Sequence, residues 1–262
     1  MTETRVASWG ELQEQLFADA WQEPINRFRS NFAFRGRNDA GEDLRTSLLR
    51  LGGDVRSLEG VLLRAFRRYA QRQAVPFDSI WNWLALAQHH GLPTRLLDWT
   101  YSPYVALHFA VASLDLFERD GVVWCIDYTR ANEALPGALR EALHDEGAAV
   151  FTAEMLEQAA GGLREVEELA DDAYVVFLEP PSLSERIVNQ YALFSLMSRP
   201  DVRLDDWLAE RPELVRRIVI PAALKWEVRD KLDQANVTER VLFPGLDGLS
   251  RWLTRYYLPR AE

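Results

Sequence analysis

Two runs rich in valine and aromatics, GVVWCIDY at 121–128 and AYVVFLEP at 173–180, are bounded by Gly, Asp and Pro and read as strands. Their placement constrains the fold more than any other feature. Helical patterns fill the first third of the chain, and strands then mix with helices without the regular alternation that a doubly wound parallel sheet requires. The order predicts a single α+β domain over residues 1–262. Hydrophobic residues make up 48% of the chain, enough to fill one full core.

The segment 1–28 reads as helical: SWGELQEQLFADAWQ begins with Ser8 as cap and repeats Leu12, Leu16, Phe17, Ala20 and Trp21 at helical spacing. NFAFRG (31–36) alternates like a strand and ends at a glycine turn. Helices are predicted over 57–73, with Leu62, Leu63, Phe66 and Tyr69 inward, and over 77–90, stopped by Gly91 and Pro93. RLLDWT (95–100) is a short strand, and a helix follows over 102–117 with Ser102 as cap and Pro103 in its first turn. The acid-rich stretch near 130–172 is predicted to be a peripheral helical insertion. RIVNQYALFSLM (186–197) and RRIVIP (216–221) are further strand candidates. Helices at 223–235 and 249–258 flank a turn at 242–248.

Several function classes are disfavoured. Forty acidic against thirty basic residues give a net charge of −10, which opposes broad nucleic-acid binding, although a local basic pocket remains open. The single cysteine, Cys125, falls in an apolar strand, so a disulfide framework or Cys-rich zinc site is excluded. No stretch suits a membrane span, and the charged N-terminus does not resemble a signal peptide, so a cytoplasmic protein is expected. GxGxxG, P-loop, GxSxG and HExxH patterns are absent.

Polar residues crowd instead into two places. Arg35, followed at once by Gly36, stands at a strand end and offers a fork of donors suited to phosphate or carboxylate; a structural ion pair is the plainer alternative. QHHGLPTRLLDWT (88–100) sets His89, His90, Thr94, Arg95, Asp98 and Trp99 around a helix-to-strand turn. Adjacent histidines diverge by roughly 100° on a helix and do not readily share an ion, so no metal site is assigned. Asp98, inside an apolar strand, is expected to be buried against Arg95 or Arg35.

FAFRG, LRTSLLR, HHGLPTRLLDWTYSPYVALHFA, RIVNQYALF, RRIVIP and LFPGLDGL, in that order, resemble the FRG domain family, named for its Phe-Arg-Gly motif. The same elements are more distantly similar to mono-ADP-ribosyltransferases. Those enzymes place Arg or His at the end of a first strand, Ser/Thr/Tyr on a second strand followed by a helix, and Glu or Gln by a late strand. The resemblance implies a split central sheet, mixed or antiparallel and flanked by helices, and NAD as substrate. It assigns Arg35, Thr100 and Gln190 to catalysis. Arg35, Gly36, His89, His90, Thr94, Arg95, Asp98, Trp99, Tyr101 and Ser102 would grip the dinucleotide, with Trp99 or Tyr101 stacking on the nicotinamide. Gln190 departs from the usual glutamate, and Glu185 or Glu239 are the substitutes within reach of the sequence argument.

Transfer of ADP-ribose to a protein or nucleic-acid acceptor, or to water, is thus the leading expectation. It would suit a toxin or phage-defence effector held in check by a neutralising partner protein. A non-catalytic nucleotide- or partner-binding module, and a metal-dependent hydrolase using His89, His90 and Asp98, stay open as alternatives.

Overall fold

The computed structural model describes residues 1–70 and 75–259. Its strands are β1 (Thr2–Arg5), β2 (Trp21–Gln22), β3 (Arg27–Phe28), β4 (Phe32–Arg37), β5 (Leu96–Thr100), β6 (Gly121–Asp127), β7 (Val175–Leu178), β8 (Ala192–Met197) and β9 (Val215–Ile220). Seven form one sheet in the order β1-β9-β6-β4-β5-β8-β7, and β2 and β3 make a small separate ribbon. Among the described strands only the β1–β9 pair is parallel, so the sheet is mixed. The α+β class expected from the element order is observed.

The centre of this sheet is its weak seam. β4 pairs with β6 along its whole length, from Phe32 opposite Asp127 to Arg37 opposite Val122. With β5 it pairs only at Phe34 and Thr100. Beyond that point the strands splay, leaving Arg35, Gly36 and Arg37 on one lip and Asp98 on the other.

Packing follows the same division. On one face of the first half-sheet, Phe34, Val123, Cys125, Ile218 and Ile220 pack with residues of the helices Trp9–Phe17, Pro103–Ala110 and Lys225–Gln234. On the second half-sheet, Leu96, Val176, Leu178, Phe194 and Leu196 pack with the helix Ile80–His89. The opposite face carries one cluster that crosses the seam, including Leu97, Trp99, Val122, Trp124, Phe177 and Leu193. Gly36 is required by this arrangement. A Cβ there would lie 1.8 Å from the Ala106 carbonyl oxygen, so the glycine admits a helix backbone rather than marking a turn. β4 runs one residue past it.

Several sequence expectations need correction. The 1–28 segment contains one helix, capped by Ser8 as expected, but also the edge strand β1 and the β2–β3 ribbon. Phe17 and Trp21 are exposed, because the helix ends at Phe17. Tyr69, expected inward, is exposed at the end of the helix Val55–Tyr69; the predicted continuation through 71–73 lies outside the described residues. The helix after Ser102 ends at Ala110, with a short 3-10 turn beyond it. The acid-rich stretch is helical at Gly137–Asp145, Ala153–Ala159 and Leu163–Glu168, but it is not peripheral. Leu139, Phe151, Leu156 and Val166 are fully buried against Trp81 and its neighbours, with most of the acids exposed and Glu167 turned in to Arg95. RIVNQ folds as the helix Glu185–Asn189 rather than as strand, and Tyr191, at φ 47°, turns the chain into β8.

Candidate functional site

The splay between β4 and β5 opens a cleft of about 600 Å³. This is within the usual range of small-ligand sites, roughly 300–1,000 Å³. Phe34, Arg35, Gly36 and Arg37 form one wall. Asp98 and Thr100 of β5 face them, with Gln88, His89 and His90 from the end of the helix Ile80–His89. Arg186, Ile187 and Gln190, together with Ala192 and Phe194 of β8, close the far side, and Phe109 contributes from the helix beneath. The strands β4, β5 and β8 are sheet neighbours, which is why segments 155 residues apart (Arg35 to Gln190) meet here.

Arg35 occupies the gap where a ladder hydrogen bond would otherwise run. Its Nη1 donates to the Asp98 carbonyl oxygen, and the Asp98 carboxylate stands 3.8 Å away. Its Nε is buried without a hydrogen-bond partner. Burial lowers the Arg35 pKa below its ordinary value, an effect that Asp98 opposes and Arg50 reinforces. Arg37, two residues on and on the same side of the strand, pairs with Glu42, and burial with the charges of Arg35 and Arg50 brings its pKa down to about 10. Arg186 rests 5.0 Å from the Phe243 ring, and no ion pair to it is found among the described residues. The cleft is thus a basic pocket in an acidic protein, lined by arginines and a single carboxylate.

Other groups tune it. Gln88 donates to the Asp98 carboxylate at 3.0 Å and accepts from the Thr94 hydroxyl, so it holds the β5 lip against its helix. His89 lies 3.3 Å from the Ser184 hydroxyl, and burial, then the charges of Arg186 and His90, push its pKa below the ordinary histidine value. Gln190 donates to the Leu242 carbonyl at 3.0 Å, which leaves its amide oxygen to serve as acceptor. Thr100 Oγ1 accepts from the Ser102 N–H at 3.0 Å, and Ser102 in turn caps the helix Pro103–Ala110.

Of the residues singled out from sequence, Arg35, Gly36, His89, His90, Asp98, Trp99, Thr100 and Gln190 line the cleft; Thr94, Arg95, Tyr101 and Ser102 do not. Arg95 is no helper for phosphate. It is buried between Glu59, Glu167 and the Ser198 carbonyl. Asp98 is exposed rather than buried, and its cationic neighbour is Arg35, not Arg95. Trp99 borders the cleft, but its indole belongs to the opposite face, donating to Ser195 Oγ at 2.8 Å and packing on Phe177, so it cannot stack on a ligand. Tyr101 is likewise engaged elsewhere, with Glu179 at 2.7 Å. Neither substitute carboxylate reaches the site: Glu185 is outside the cleft lining, and Glu239 is held by Arg255 at 2.7 Å.

Among the described residues no three His, Cys, Asp or Glu side chains are grouped so as to hold a metal ion. His89, His90 and Asp98 line the cleft without forming such a group. Sequence reasoning overlooked Arg37, Gln88, Phe109, Arg186 and Ile187. Arg37 was the legible one, since it follows Arg35 by two residues on a strand.

Residues 30–119 match the family model of the FRG domain. Over that stretch the chain is similar to FRG domains. No curated protein and no solved structure matches it. The FRG match supplies one side of the cleft, from Phe34 to Phe109, and the remainder comes from 186–194, beyond the matched stretch. No helix among the described residues is long and apolar enough to cross a membrane.

Proposed function

We propose that the cleft binds NAD and that the FRG domain transfers ADP-ribose from it to a protein or nucleic-acid acceptor, or to water. The observation that carries this reading is the convergence of Arg35, Thr100 and Gln190, from three adjacent strands or their entrances, on one ligand-sized cleft. In this reading Arg35 takes the diphosphate, the group its partly unsatisfied guanidinium matches best. Thr100 supports the turn that sets the floor, and the Gln190 amide oxygen accepts from a ribose hydroxyl. The bond from ribose C1′ to the nicotinamide nitrogen breaks, and nicotinamide leaves with the electron pair. The acceptor's nucleophilic atom then bonds to C1′ and loses its proton.

One feature favours a second reading, a module that binds the nucleotide without cleaving it. A carboxylate at position 190 would stabilise the developing cation, and an uncharged amide forgoes several kcal/mol, of the order of 3. Release of free nicotinamide from NAD, with Arg35→Ala, Gln190→Ala and a chelator control, separates the two. Chelator-resistant release abolished by both substitutions supports the transferase. NAD binding that depends on Arg35, with no release above background, supports the binding module. Absence of both removes NAD from the account.

A further inference from the structure

Two cations of the cleft lack a close carboxylate, and they stand on different sides of the split. Arg35 is on β4, with Asp98 no nearer than 3.8 Å. Arg186 is on the helix Glu185–Asn189, and its guanidinium lies over the Phe243 ring, which holds it in place without neutralising it. Arg37, by contrast, already has Glu42. The chain has 40 acidic residues, yet none is paired with Arg186 among the described residues. A diphosphate is one anionic locus, whereas these are two cationic positions separated by a strand.

Around Arg186 the lining is also polar. His89 lies close enough for the Arg186 charge to act on it, His90 lines the same cleft with its ring 5.1 Å from that of His89, and Ser184, outside the lining, is hydrogen-bonded to His89. A guanidinium with imidazole donors in the same cleft suits a phosphate monoester, which accepts through several oxygens at once.

We propose that the ligand carries phosphate at two separated positions, a 5′-phosphate or diphosphate held at Arg35 and a separate monophosphate held at Arg186. Resting on the NAD reading, this makes the 2′-phosphorylated dinucleotide, NADP, the preferred one.

Titration calorimetry on the whole chain at fixed ionic strength tests it with two pairs: NAD against NADP, and 5′-AMP against adenosine 2′,5′-bisphosphate. The 2′-phosphorylated member of each pair should bind about tenfold more tightly, the scale of one charge-assisted contact. Arg186→Gln should bring that ratio close to one, and Arg186→Lys should restore part of it. Equal affinities within both pairs, or a preference that survives Arg186→Gln, would overturn the proposal. If NAD binds and NADP is no better, this proposal falls while the NAD reading stands. If the bisphosphate preference holds and neither dinucleotide binds, the two phosphate positions stand and the NAD reading falls. No binding by any of the four ends both.

Discussion

The cleft and the C-terminal helical region both draw arginines into the protein but provision them differently. Arg255, on the helix Leu246–Tyr256, meets Asp233 at 2.7 Å and Glu239 at 2.7 Å, and its pKa is raised accordingly. Arg95, behind β5, is enclosed by Glu59, Glu167 and a backbone carbonyl. Arg35 has a carbonyl and a distant carboxylate. A buried cation that has found its carboxylates holds elements together, and one left short of them keeps donors for something that arrives later. Residue type alone does not separate these roles; partners do.

The sharpest break in the comparison is Arg95→Ala. It strands Glu59, which is 3% exposed, so unfolding free energy should fall by about 3–5 kcal/mol in chemical denaturation. Arg255→Ala should cost somewhat less, of the order of 3 kcal/mol, and alter acid tolerance. The Arg255 partner holds the Glu239 carboxyl at about 2, against an ordinary 4.5, despite the opposing pull of burial. A depressed carboxylate contributes stability that is fully present above the unfolded value and is lost as pH falls toward the folded one. Wild type should therefore lose this contribution between pH 4.5 and 2, and Arg255→Ala should already lack it above that window.

His108 sharpens the picture from the histidine side. It sits 2.8 Å from Arg229, and burial first, then that guanidinium, bring its pKa to about 3. The folded state thus refuses a proton that the unfolded chain accepts near 6.5. Stability should decline by about 1.4 kcal/mol per pH unit as pH falls below that value, and His108→Gln should flatten this slope in denaturation curves recorded from pH 7 to 5.

The smallest stability effect belongs to the cleft. Arg35→Met removes a desolvated charge along with one hydrogen bond, so unfolding free energy should stay within about 1 kcal/mol of wild type. A loss comparable to Arg95→Ala would place Arg35 among the structural arginines.

Much of the frame was legible from sequence. β6, β7 and β9 carry dense β-branched and aromatic runs, and the Ser8 and Ser102 caps follow from local hydrogen bonding alone. β1 was not legible, because an edge strand with no buried residue carries no alternation. The short helix at Glu185–Asn189 was masked by apolar residues that also suit a strand. In the site, Arg35 and Gln190 were found through their motifs, whereas the fate of Arg95 depended on Glu59 and Glu167, 36 and 72 residues away. The place of Trp99 is not legible in the sequence because strand parity sets it opposite Asp98, and only the pairing shows which face opens to solvent.

The most direct test of Arg35 as a ligand-binding rather than structural arginine is NAD titrated into wild type, Arg35→Met and Arg255→Lys, with melting temperature recorded for each. NAD should bind saturably to wild type, at least tenfold more weakly to Arg35→Met at nearly unchanged melting temperature, and with affinity retained to Arg255→Lys at a lowered melting temperature. Equal NAD affinity in wild type and Arg35→Met, or an Arg35→Met protein that fails to fold, would contradict that role.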